Sequence, residues 1–185
     1  MDYRSRYDAW LKDKALDEQT RQELIRITDE AELTDRFYKD LEFGTAGLRG
    51  ILGAGSNRMN VYTVGRAAQG LANYLKTIPN ASEAGVAIAY DSRKRSDEFA
   101  LRSALILAAN GIRAYLFSGI RAVPQLSFAV GYLKCAAGIV ITPATTPRTT
   151  TASRCTAPTA RKSTPRPRKA SRNRLRAFQT FPPSA

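Results

Sequence analysis

"GVAIAYDSRKRSDEFALRSALILAANGIRAYLFS", residues 85–118, changes its hydrophobic period twice. "GVAIAYD" (85–91) is an unbroken run of small and β-branched residues ending in an acid, the pattern of a strand buried on both faces with polar groups at its C-terminal end. Ser96 can cap a helix over "DEFALRSALILAAN", Asn110-Gly111 ends it, and "IRAYLFS" (112–118) returns to strand. Further on, "PQLSFAVGYLK" (124–134) reads as a helix with proline in its first turn, and "AAGIVIT" (136–142) as a third strand. Strand, helix, strand, helix, strand with short links predicts a layered, largely parallel α/β sheet. Such sheets bind ligands at the carboxyl ends of their strands, here Asp91-Ser92-Arg93, the Ser118 to Pro124 loop, and Thr142 onward.

Toward the N-terminus, "VYTVGRAAQGLANYLKTI" (61–78) predicts a helix with an alanine and leucine face that tolerates Gly65 and Gly70. "FGTAGLRGILGAGSNRMN" (43–60) has no helical or alternating period and reads as a structured, glycine-rich loop. Residues 3–40 carry Tyr7, Trp10, Leu11, Leu24, Ile25, Ile27, Leu33 and Phe37 at helical spacing, which predicts two or three amphipathic helices.

The net charge of +13 would suggest a nucleic-acid binder, but the charge is not spread evenly. Thr142 to Ala185 holds ten Lys or Arg, no Asp or Glu, and seven of the nine prolines, while residues 1–141 carry only +3. A segment so basic and proline-rich buries little, so 143–185 is expected to be a disordered tail. Nucleic-acid binding through that tail is the alternative function: ten cations would give nonspecific, salt-dependent binding. Against a specific role, only Phe178 and Phe181 offer base stacking there. No run of about 18 apolar residues could span a membrane. "MDYRSRYDAW" lacks the order of a secretory signal, so a cytoplasmic location is expected. Cys135 and Cys155 form no disulfide framework, and the chain has no histidine for a zinc site.

Three short motifs bear on function. "GAGSNR" (53–58) has Arg58 where a dinucleotide loop needs its third glycine, and reads as turn chemistry. "YDSRKRS" (90–96) reads equally as a solvated loop before a helix or as anion recognition by arginine at a strand end. "GTAGLRG" (44–50) sets Thr45 and Arg49 among glycines, where backbone N–H groups and a guanidinium could converge on a phosphate-sized anion.

"FGTAGLRG", "NRMNVYTV", "IAYDSR", "AANGIRAYLF" and "PQLSFAV", in this order, resemble the N-terminal domain of the phosphohexomutases, of the bifunctional phosphoglucomutase/phosphomannomutase type, over residues 5–142. The resemblance implies domain I of that family, a three-layer α/β/α unit with a mixed sheet (41–142), preceded by N-terminal helices (1–40). It implies intramolecular phosphotransfer between the 1- and 6-positions of a hexose phosphate, with Mg²⁺ and a hexose bisphosphate activator in the intact family. Thr45 and Arg49 match the family's arginine loop, and Asp91 and Arg93 its second strand-end motif. The family's third strand runs into a loop close to "TASHNPPDYNGFK", whose serine carries the phosphoryl group while its histidine and lysine assist proton transfer. Here the serine column holds Ala144, in "TPATTPRTTT" (142–151), so no catalytic residue of that loop is present as written. The Mg²⁺-binding DGDGDR loop and the domains carrying it are expected to be missing.

Codon degeneracy offers a reason. Joining the third base of each codon to the first two of the next across Thr142 to Ala157 yields fifteen junctions that successively admit ASHNPPDYNGFKVYG. Each junction allows only a handful of amino acids, so residues 143–185 are expected to be an out-of-frame translation after loss of one base, ending at an early stop. The result would be an inactive phosphohexomutase fragment.

Overall fold

The computed structural model describes residues 2–44, 47–143, 150–156 and 175–178. Three parallel strands form the centre: β3 (Val86–Tyr90), β4 (Ala114–Phe117) and β5 (Ala137–Pro143). β3 lies between the other two, in the register Val86 with Ala114 and with Ala137. Helix α6 (Ser96–Ala109) links β3 to β4, and α7 (Val123–Tyr132) links β4 to β5. The chain thus moves outward from β3 on one side and returns to its other side, which puts the topological switch point beside β3.

The two faces of the sheet are buried by different helices. Ile88, Ile139 and Ile141 pack with Phe99 and Leu107 of α6 and with Val64 and Leu75 of α4 (Val61–Lys76). Ala87, Ala89 and Val140 pack with Leu126, Ala129 and Val130 of α7. That is the expected α/β/α layering with a mixed sheet, and it follows from the continuous apolar runs of β3 and β5, which leave no polar face to turn outward.

The glycine-rich stretch departs in part from its expectation. Its first part pairs as two antiparallel strands, β1 (Phe43–Gly44) and β2 (Gly47–Ile51), while 52–60 run as the expected structured loop. Within 150–185, where a disordered tail was expected, the backbone of Thr150–Thr156 runs as β6 and that of Leu175–Phe178 as β7; the rest of that segment lies outside the described residues. β6 inserts antiparallel between β2 and β5, and β7 adds antiparallel to β4, giving the order β1-β2-β6-β5-β3-β4-β7. The physical reason is local: threonine-rich chain has strand propensity, and β2 and β5 both present ladder groups that need partners.

Three helices precede the sheet: α1 (Tyr3–Lys12), α2 (Glu18–Ile25) and α3 (Glu30–Phe37). Phe37 is their buried centre, with Tyr7 and Trp10 edge-on to it and Trp10 edge-on to Tyr62 of α4. A polar clamp ties them to the sheet domain. Arg36 Nη1 donates to Glu23 Oε1 (2.6 Å) and to the Ala54 carbonyl (2.9 Å), its Nη2 donates to Glu32 (2.7 Å), and the Ala54 N–H donates back to Glu23 (3.0 Å). Beside it Asn60, buried, caps α4 by accepting from the N–H groups of Tyr62 and Thr63 and donates to the carbonyls of Gly53 and Gly55.

Two expected outcomes arise from the clamp. Arg36→Ala leaves Glu23 and the Ala54 carbonyl without their shared donor and is expected to cost about 2 kcal/mol, read in a denaturant melt. Partial burial pushes the Glu23 carboxyl upward, but the Ala54 N–H and Arg36 outweigh this and hold it below its ordinary value. A carboxyl lowered by folding stabilises above its unfolded value, and that stability is lost as pH falls through the folded value. Acidification below about pH 4 is therefore expected to loosen the helices from the 53–60 loop. Trp10, the only tryptophan, reports it by fluorescence.

Candidate active site

The carboxyl ends of β3 and β5 meet at the switch point. Tyr90 is in register with Ile141, and the Asp91 N–H donates to the Ile141 carbonyl (3.2 Å). Asp91 thereby stands next to Thr142, at the switch point where open α/β sheets bind ligands. Asp91 Oδ1 accepts from the Arg93 N–H (3.1 Å) and from the Ser96 hydroxyl (3.1 Å). Sequence reasoning expected Ser96 to be the cap of α6. In the structure Ser96 is the first helical residue and Arg95 the cap, at a left-handed φ of 66°. Asp91 folds the turn around itself, and its carboxylate is the acceptor that sets both Arg93 and Ser96.

The three cations of "SRKRS" are not equivalent. Arg95 pairs with Glu98 (2.7 Å) and lies over the Phe99 ring, and the Glu98 hydrogen bonds raise its guanidinium above the ordinary value. It is committed to α6. Arg93 is half-buried and Lys94 exposed. On the adjoining connection the Arg121 N–H donates to the Tyr90 carbonyl (3.0 Å), which brings a further guanidinium-bearing residue to the β3 end. No motif signalled Arg121, because nothing in "GIRAV" distinguishes it from solvent-exposed loop charge.

Arg49 reaches the same edge by register. Thr142 is opposite Ala152 of β6, and Ala152 is opposite Arg49 of β2. Directly opposed residues share a face, so Arg49 and Thr142 lie on one face, about 10 Å apart across two strand spacings. It is the face of Val140, opposite that of Leu48, and Arg49 is exposed there beside a polar groove with Tyr38, Lys39 and Asn57. The structure brings Asp91 and Thr142 side by side at the ends of β3 and β5, sets the Arg93 backbone on the Asp91 carboxylate, and places Arg49 two strands away in register with Thr142 through Ala152. Thr45 and Ala144 lie outside the described residues.

The arrangement offers cations and backbone donors for an anionic group, and the sequence contains no histidine to act as a base beside an attacking group. Among the described residues no three carboxylate or thiol side chains gather at one point to hold a metal ion by themselves. Cys135 is buried against Val130 and Val140, and burial pushes its thiol up, away from the nucleophilic thiolate form. Among the described residues no helix is long and apolar enough to cross a membrane.

A parallel three-strand centre with this edge is found in known proteins. The sequence model of the phosphoglucomutase/phosphomannomutase α/β/α domain I matches residues 40–156. The chain belongs to the phosphoglucomutase/phosphomannomutase family. It is 42% identical over 139 residues to a probable phosphoribomutase of Schizosaccharomyces pombe, covering 73% of this chain and 24% of that protein. A phosphoglucomutase of Staphylococcus haemolyticus is 46% identical over 112 residues, 60% of this chain and 20% of that one. The crystal structure of a putative phosphomannomutase from Thermus thermophilus superposes with a TM-score of 0.56 at 28% identity, covering 64% of this chain and 26% of that one. The chain thus spans about a quarter of the length of the relatives it matches. The match to the domain I model runs through β6, beyond the resemblance read from the sequence, which stopped at residue 142.

Proposed function

We propose that this chain carries the phosphate-facing edge of a phosphohexomutase first domain without its phosphoryl-carrying serine, and is catalytically silent as written. One observation carries the reading. At the third strand's end, where the family's serine stands, this chain has Ala144, and the same bases read one position over admit serine, histidine and asparagine in succession. On this reading residues 143–185 are translated out of frame, and the intact product interconverts sugar 1- and 6-phosphates through a phosphoserine. Support for the sugar-phosphate class comes from the family and from the mutases named among the relatives. Arg49, Arg93 and the turn at Asp91 would hold and orient phosphate oxygens, since phosphoryl transfer depends mainly on positioning and charge neutralisation. When bound, Mg²⁺ supplies further charge neutralisation in the family; its ligands are not drawn from the residues described here.

Two measurements test this. The coding DNA across codons 138–160 is expected to spell the serine-containing loop once one base is restored. Incubated with a hexose bisphosphate labelled with ³²P, the chain as written is expected to stay unlabelled. Covalent label on the native chain would refute the silent reading.

A further inference from the structure

The face of the sheet packed by α4 carries an apolar groove of about 860 Å³. Its wall is the outer flank of α4, with Gly70 and Tyr74, continuing to Ile78, and its floor is Leu48 of β2 together with Ala137 and Ile139 of β5. Tyr74 is 62% exposed and Ile78 39%. Between those two floor strands runs β6, whose last residue, Thr156, is in register with Gly138, next to Ala137. β6 therefore ends beside the groove floor at Ala137.

After β6 this chain reads "APTARKSTPRPRKASRNR", residues 157–174, which is rich in proline and arginine and has no large apolar residue at all. The other frame reads differently. A hidden codon encodes Leu, Ile, Val or Phe only if its middle base is T, and across residues 157–185 that is admitted at just six junctions, those after residues 162, 170, 174, 177, 180 and 183. Four of them, after 170, 174, 177 and 180, fall at i, i+4, i+7 and i+10, the spacing of one helix face. The junctions after 168 and 172 admit only Gln, Lys or Glu as sense residues, which are helix formers for the outer face.

We infer that the groove between α4 and the β2-β6-β5 floor is the seat of an amphipathic helix encoded by codons 164–181 in the restored frame, and that this chain can take that helix as a separate peptide. The inference rests on the out-of-frame reading proposed above, and adds to it a binding surface and its occupant. An apolar stripe of three to four side chains would cover Tyr74, Ile78 and the strand floor, while the Gln, Lys or Glu positions face water. The surface left by one frame is filled by the product of the other.

The test begins with the coding DNA across codons 157–185. If the restored frame does not place large apolar residues after 170, 174 and 177, this inference falls, while the frame reading stands or falls separately on the serine-containing loop at codons 138–160. If the restored frame does place them, the peptide spelled by those codons is synthesised and titrated into the full chain by fluorescence anisotropy, against a scrambled peptide of the same composition. Saturable binding of the true peptide alone is expected. Gly70→Glu is expected to weaken it by at least about tenfold, since it brings a carboxylate into an apolar groove. A Cβ at Gly70 meets nothing within 4 Å, so the fold tolerates the change; Tyr74→Lys serves as a second variant, with circular dichroism verifying both. Equal binding of the scrambled peptide, no binding, or indifference to both variants would overturn the groove assignment while leaving the frame reading intact.

Discussion

Supplied with a hexose 1-phosphate, the bisphosphate activator and Mg²⁺, the chain as written is expected to give no turnover above a blank. Loss of a covalent nucleophile alone removes on the order of 10⁶-fold in kcat from enzymes that depend on one. Ala144→Ser by itself is expected to change nothing measurable, because a hydroxyl without an adjacent base is a weak nucleophile and the chain contains no histidine. Restoring one base at codon 142 in the whole gene is expected to bring turnover back. Activity in the unmodified chain would show that some other group, Thr142 foremost, accepts the phosphoryl group.

Gly85→Ala is expected to be the most damaging single substitution in the sheet, costing at least about 3 kcal/mol of a total stability that is typically only about 5–15 kcal/mol. Gly85 sits at φ 75° and ψ −171°, a conformation nearly confined to glycine. A Cβ there would be 2.4 Å from the Arg113 carbonyl oxygen and 2.9 Å from the Arg113 Cβ. Neither neighbour can retreat: that carbonyl accepts from the Val86 N–H (2.8 Å), and the Arg113 N–H donates to the Ser82 carbonyl (3.0 Å). The contrast is Gly70→Ala, on an exposed helical position with open space, expected to stabilise by up to about 1 kcal/mol. Chemical denaturation of the pair measures both. A Gly85→Ala chain within about 0.5 kcal/mol of the parent would contradict the packing described at the start of β3.

The parts of the fold that were legible in sequence were those whose period is strong and local. β3, α6, β4, α7 and β5 announce themselves in residues 85–142 because each apolar run is long enough for its spacing to be read. β1 and β2 did not: "GTAGLRG" has three glycines in seven residues, and glycine erases the inside-outside alternation that marks a strand. α5 (Ala81–Ala84) was missed because four residues are too few to show a period. The clamp of Glu23, Arg36 and Ala54 joins residues 13 to 31 positions apart, and no local pattern encodes that. At the candidate site, Asp91 and Arg93 are legible as the polar end of the apolar run 85–91, and the structure places them at the end of β3. The link of Arg49 to Thr142 needed the register through β6, which only the paired backbone supplies.

β6 is the keystone of the sheet. The hairpin bearing Arg49 and the parallel strands bearing Asp91 and Thr142 share no ladder of their own; every interstrand bond between them passes through Thr150–Thr156. A substitution that weakens that strand therefore loosens both flanks at once and moves Arg49, paired with Ala152, relative to Asp91 and Thr142.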